Sequence, residues 1–148
     1  MIDIKDILAQ WAEDSEISPV HLDESSRKTP ILHAKYLELL STAKLMLKRA
    51  EFTQKTLLKQ KWLYYNGKMD QEQIQELGWD PDPFDGLKIL KGEMEYYYEA
   101  DPEIQKSEEK IQYYKTLVET LTDIVSHINW RHQTIGNMIR WKQFESGN

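Results

Sequence analysis

The residues best equipped for chemistry stand together in one stretch, Lys55-Thr-Leu-Leu-Lys59-Gln-Lys61-Trp62-Leu-Tyr64-Tyr65-Asn66-Gly67-Lys68. Lysines alternate there with aromatic rings. A single strand of nucleic acid calls for this combination: cations to follow its phosphates and flat rings for its unpaired bases. The plainer reading is a solvated lysine face beside a core stripe that contains Trp62 and Tyr65. Lys61 bears on the choice. It projects from the middle of an apolar stripe, where an unpaired charge is costly. Either it snorkels out to water, or the stripe opens there onto a site.

Other chemistry is poorly supplied. The histidines are His21, His33, His127 and His132, and no two stand at i, i+3 or i, i+4, so a helical metal-binding pair is missing. The absence of cysteine removes thiolate zinc sites, a Cys nucleophile and a disulfide scaffold, and fits a cytosolic protein without demanding one. There is no Gly-x-Ser-x-Gly. Asn66-Gly67-Lys68-Met69 has a Gly-Lys but lacks the upstream glycine and the hydroxyl residue of a phosphate-binding loop. The many carboxylates of 69–109 read as a solvated face. An enzyme is therefore the weak hypothesis, and no cofactor is expected.

The elements that must carry the lysine–aromatic stretch are helical. Thr29-Pro30 reads as an N-cap followed by proline at the first helical position. An earlier start at Asp23 would leave Pro30 inside the helix and kink it. From there to Tyr65 nothing stops a helix. Tyr36, Leu39, Leu40, Ala43, Leu47, Ala50, Leu57, Leu58 and Tyr65 share one stripe, with Gln54 and Lys61 at its middle. Lys44, Lys48, Lys55 and Lys59 fall within roughly 60° of one another on an adjacent face. Asn66-Gly67 is a left-handed C-cap pair.

Before this helix, Ile4, Ile7, Leu8 and Trp11 predict a short amphipathic helix that fades by Ser18-Pro19. An arm so short is marginal alone and needs something to dock on. After it, Gly78, Pro81, Pro83, Gly86 and Gly92 punctuate a connector over 68–100. Its aromatics, Trp79, Phe84 and Tyr96–Tyr98, argue for order. Gln71 to Leu77 and Glu93 to Ala100 are helical candidates, and Leu87 to Leu90 is a short strand or a turn. Asp101-Pro102 then opens a second long helix. Its stripe runs Ile111, Tyr114, Leu117, Val118, Leu121, Ile124, Val125, Ile128, Ile135, Ile139. Trp130 and Trp141 point roughly 150° away from that stripe, and Met138 roughly 100° away. One stripe suits an antiparallel pairing with the first long helix. The aromatic ridge then has no partner in a thin monomer, which predicts self-association.

The expected fold is mainly α: two long antiparallel helices, a short N-terminal helix and an irregular acidic connector, in a single domain of 148 residues. The divisions are an N-terminal arm over 1–21, a basic helix over 22–67, the connector over 68–100 and a C-terminal helix over 101–148. No stretch is apolar enough to span a membrane, and the N-terminus lacks the pattern of a secretory signal. The net charge of −6 argues against a protein that coats nucleic acid, yet it is unevenly spread. Residues 44–68 carry seven Lys/Arg against Glu51 alone, whereas 69–109 carry three against 13 Asp/Glu. The local +6 matters more than the global sign.

Lys59-x-Lys61-x-x-Tyr64-Tyr65-Asn66-Gly67 resembles the lysine–basic–tyrosine–tyrosine–glycine motif of the UvsY-like recombination mediators of tailed bacteriophages. The resemblance continues through Leu32-His-Ala-Lys-Tyr-Leu-Glu-Leu-Leu, Lys44-Leu-Met-Leu-Lys-Arg-Ala-Glu and Tyr98-Glu-Ala-Asp-Pro-Glu-Ile-Gln-Lys. It ends in Trp130-Arg-His-Gln-Thr-Ile-Gly-Asn-Met-Ile and Phe144-Glu-Ser-Gly, so it covers roughly 22–148. It implies a non-enzymatic protein that forms a ring-like homo-oligomer, a hexamer or heptamer, in the cytoplasm of the infected host cell. It implies binding to single-stranded DNA and help for a RecA-like recombinase in displacing single-strand-binding protein. Lys59 and Lys61 fall on the family's DNA-contacting pair and Tyr64 and Tyr65 on its tyrosine pair. Lys44, Lys48, Lys55 and Lys68 extend the expected DNA track. Trp130, Ile135, Met138, Ile139 and Trp141 fall in the segment linked to oligomerisation. Position 61 is Lys where some members carry Arg, which removes a bidentate phosphate contact. The connector with Gly78-Trp79-Asp80-Pro81 is longer than in compact members. The competing expectation is a helical assembly or scaffold protein that does not bind DNA.

Overall fold

The computed structural model describes residues 2–147. Among them the regular elements are all helices: α1 (Ile4–Asp14), α2 (Leu22–Arg27), α3 (Thr29–Tyr65), α4 (Gln71–Leu77), α5 (Met94–Glu99), α6 (Pro102–Asn129) and α7 (Arg131–Glu145). They fold as two compact units. One comprises the chain up to Leu45 together with Tyr114 onward, and the other is Met46–Tyr113.

In the first unit the N-terminal arm is held. Asp3 caps α1 by accepting from the Lys5 amide, and Ile7 is buried. Trp11 meets Tyr36 edge to face, with centroids 5.3 Å apart. Asp14 accepts from the Tyr36 hydroxyl at 2.8 Å and pairs with Lys35 at 2.6 Å. Leu32, Tyr36, Leu40 and Ala43 of α3 are buried, as are Leu117, Leu121, Ile124 and Ile128 of α6.

The stretch over 22–67 divides into α2 and α3, with α3 starting at Thr29, and the helix expected to be continuous over 101–148 is interrupted. α2 and α3 are parted at Lys28, whose amide still reaches the Glu24 carbonyl at 3.1 Å and whose carbonyl takes the Leu32 amide at 3.0 Å, because Pro30 brings no N–H for the Ser26 carbonyl. Thr29 is thus the first residue of α3, and its hydroxyl donates back to the Ser25 carbonyl. The second break separates α6 from α7 at Trp130, where neither glycine nor proline stands. There the Trp130 amide donates to the His127 carbonyl, a tighter turn than the α-helix makes. The residue after the break, Arg131, is buried and donates to the Ser15 and Ser25 carbonyls, each at 3.3 Å. Anchoring this guanidinium fixes the break. Burial without a carboxylate partner pushes its pKa down.

In the second unit α3 and α6 run in opposite directions: Lys61 meets Glu103, and seven residues earlier Gln54 donates to Glu108 at 2.7 Å. The inward positions of α3 in this unit are Leu47, Ala50, Gln54, Leu57, Lys61 and Tyr64. They alternate steps of four and three residues, the 3.5-residue repeat of a coiled-coil seam. The helix closes at Gly67, whose φ of 68° lies in the left-handed region. The Lys68 amide reaches the Leu63 carbonyl and the Gly67 amide the Tyr64 carbonyl, the paired bonds of a Schellman close.

The connector is ordered. α4 and α5 occupy the two stretches expected to be helical, and residues 87–90 are irregular rather than a strand. Met69 and Ile74 are buried with Tyr64 and Tyr65, and Leu63, Trp79, Phe84, Met94, Tyr97 and Tyr98 pack around them.

Candidate nucleic-acid interface

The lysine–aromatic stretch divides between two sides of α3. Side chains two residues apart on a helix point to nearly opposite sides, so Lys59 and Lys61 do not share a surface. Lys59 is exposed. Lys61 is only 4% exposed. Its ammonium lies 2.9 Å from Asp101 Oδ2 and 3.5 Å from Glu103 Oε1, and 3.8 Å from the centroid of the Trp79 ring. It neither snorkels nor opens the stripe onto water. A carboxylate 40 residues further on completes it inside the unit.

Asp101 does three things at once. Its Oδ2 takes Lys61 and the Tyr65 hydroxyl, the latter at 2.6 Å, while its Oδ1 accepts from the Glu103 and Ile104 amides and so caps α6. Burial alone would raise the carboxyl's pKa. The Tyr65 hydroxyl, Lys61 and the Ile104 amide outweigh that and hold it below its ordinary value. Burial, and then the bond to this carboxylate, push the Tyr65 hydroxyl up. Glu103 accepts from the Trp79 indole at 2.7 Å, and Tyr64 donates to the Asp80 carbonyl, so both connector and α6 are tied to the end of α3.

A pH effect follows, with a definite sign. A carboxyl lowered in the folded state stabilises it above the unfolded value, near 3.8, and that contribution is lost as pH falls through the folded value. Acidification below about pH 4 is expected to loosen the second unit progressively. Trp79 fluorescence followed against pH checks this, and Asp101→Asn should flatten the acid limb.

The opposite side of α3 is solvent-facing. Lys48, Arg49, Lys55 and Lys59 are exposed there, and Lys68 just beyond the helix. Phe52 is 56% exposed and Trp62 49%. Lys48 and Lys55 set their ammonium groups 5.2 and 5.8 Å from the Phe52 centroid, and Lys68 sits 4.6 Å from that of Trp62. Among the described residues Lys55, Lys59 and Lys68 enter no ion pair, and Lys48 has only a 4.0 Å contact with Glu51. Lys44 is exposed on the part of α3 that belongs to the first unit, and is likewise unpaired.

The expected site residues are therefore sorted. Lys48, Lys55, Lys59 and Lys68 come together on one face of the second unit. Lys61, Tyr64 and Tyr65 form an internal cluster, and neither tyrosine presents a free ring. Trp62, which one reading placed in the core, stands outside it. Phe52 escaped the sequence reading, although it falls roughly 180° from the centre of the apolar stripe and could have been found by that count. Of the residues expected to serve oligomerisation, Trp130, Ile139 and Trp141 are exposed, Met138 is half-buried and Ile135 is buried within its own unit. Trp141 stacks on Phe144 with centroids 5.5 Å apart. Among the described residues no His/Asp/Glu group could hold a metal ion, and no helix is long and apolar enough to cross a membrane.

An all-helical chain that exposes a cation-and-ring face along one long helix defines a class of surface suited to polyanions. The chain belongs to the UvsY family: the family model described as recombination, repair and ssDNA binding protein UvsY matches residues 10–148. It is 24% identical over 144 residues to the recombination protein uvsY of Enterobacteria phage T4, covering 97% of this chain and 98% of that one. Its fold is similar to crystal structures of the bacteriophage T4 recombination mediator protein UvsY. In one the TM-score is 0.80 at 23% identity over 99% of both chains. In another it is 0.78 at 22% identity over 97% of this chain and 99% of that chain.

Proposed function

We propose that the protein is a recombination mediator that binds single-stranded DNA and helps a RecA-like recombinase take over strands covered by single-strand-binding protein. The observation that carries this is the solvent-facing row of Lys48, Lys55, Lys59 and Lys68 with its two rings, in a chain whose family is described by single-stranded DNA binding. Lys44 adds its charge to the same helix. The protein works as a homo-oligomer, a ring-like hexamer or heptamer, in the cytoplasm of the infected host cell. One subunit offers a short cationic face. Repetition around a ring presents a strand held by one face to the next at high effective concentration, so weak contacts wrap and strain the strand. The carboxylates of the connector repel phosphate and confine the strand to the basic face.

The direct test is assembly of recombinase filaments on single strands precoated with single-strand-binding protein. Filaments are expected to form faster with the protein than without it. Equal rates would refute mediation. Absence of any strand binding at low salt, with the oligomer intact, would favour a helical assembly protein instead.

The oligomer has its own test. Trp130→Ala and Trp141→Ala each remove an exposed indole of the kind that anchors interfaces. Light scattering is expected to show smaller species for at least one of them. Full-size assemblies from both would move the interface elsewhere.

A further inference from the structure

We propose that Phe52 and Trp62 are base-stacking platforms, each taking one unpaired base of a bound strand while the neighbouring lysines take its phosphates. The inference rests on the single-stranded DNA reading and gives the two rings of that face a particular task, which the reading leaves open. Phosphate contact alone requires only cations. Yet this face carries two large exposed rings, each beside an ammonium group: Lys48 and Lys55 at Phe52, Lys68 at Trp62. The two tyrosines nearest the lysines in sequence are unavailable, since Tyr64 and Tyr65 are buried and their hydroxyls are spent on Asp80 and Asp101. The exposed rings of the face are therefore the ones left for bases.

The geometry suits a strand. Ten residues of helix separate Phe52 from Trp62, about 15 Å along the axis at 1.5 Å per residue. That is a span of several nucleotides, so the rings serve different bases of one strand. Lys59 stands between them and is exposed. The ammonium groups beside the rings serve the free protein too, because the attraction of a cation for a ring face partly offsets the exposure of the ring. When a strand arrives, the base replaces the ammonium over the ring, and the ammonium moves to the adjoining phosphate. Stacking of this kind ignores sequence, because every base has a π-face.

The experiment compares an oligodeoxythymidylate with an abasic oligonucleotide of equal length, using the full chain, Phe52→Leu, Trp62→Leu and the double variant. Leucine keeps apolar bulk and removes the ring. The unaltered protein is expected to prefer the oligonucleotide with bases. Each leucine substitution should weaken that binding roughly fivefold to 150-fold, the range found for single stacked bases. Affinity for the abasic strand should not change. Phe52→Tyr and Trp62→Phe keep a ring and should keep the preference, which separates stacking from any general disturbance of α3. Equal affinity of the unaltered protein for both strands, or an undiminished preference in the double variant, would overturn the proposal while leaving DNA binding intact. Failure of the unaltered protein to bind either strand would overturn the DNA reading and this inference with it.

Discussion

A Lys61→Ala protein is expected to lose about 3–5 kcal/mol of stability, the usual consequence of removing one member of a buried ion pair. The loss arises because the partner stays behind. Asp101 would remain a buried carboxylate with only the Tyr65 hydroxyl and two α6 amides for company, and Trp79 would lose the cation beneath its ring. Denaturant unfolding measures the effect. The double variant Lys61→Met/Asp101→Asn should lose much less than the sum of its single changes, since no unpaired charge is left. DNA binding gives the more telling contrast. Lys59 and Lys61 are both expected from the family resemblance to touch DNA, yet they face opposite sides of α3. Under conditions where the variant is folded, Lys61→Met should bind single strands with an unchanged salt dependence. A shallower salt slope in Lys61→Met, with stability intact, would show that Lys61 meets phosphate after all.

Lys55→Ala/Lys59→Ala is expected to do the reverse, leaving stability alone and cutting affinity. Both ammonium groups are solvent-exposed and outside any ion pair among the described residues, so their removal strands no buried charge. Each phosphate contact contributes about 0.7 to the slope of log affinity against log salt on single strands. Losing two should reduce the slope by roughly 1.4 and weaken binding roughly 25-fold near 0.1 M salt. Titrations at several salt concentrations check both figures. An unchanged slope would take the pair out of the interface.

Much of the helical plan was legible because its signals are local. The long apolar stripes give the period, and Gly67 and the Asp101-Pro102 pair mark a stop and a start by conformational rules that act over a few residues. α4 is readable for the same reason: Asp70 caps it and Gly78 ends it in the left-handed region. The break at Trp130 is not readable in this way. It comes from Arg131 reaching carbonyls more than 100 residues earlier, and no neighbouring glycine or proline announces it.

The candidate site was legible as composition but not as geometry. Lysines beside aromatics between 55 and 68 stand out in the sequence. Which of them faces water depends on what closes over the other side, and that is supplied by the connector and α6. Lys61 looks misplaced until Asp101 and Glu103 are brought to it. Tyr64 and Tyr65 look like available rings until Asp80 and Asp101 claim their hydroxyls. Phe52 needed only the helical count, and was overlooked because it lies outside the dense stretch.

Asp101 carries a consequence for how such a sequence can change over generations. Its two oxygens balance Lys61, hold the Tyr65 hydroxyl and start α6. A mutation at 101 is therefore answerable to three requirements together, and no single compensating change meets them all. Position 59 answers only to solvent and ligand and is free to drift among cationic residues. Two lysines that sit two residues apart in a short motif should thus have different histories, one varying alone and the other only in company with position 101.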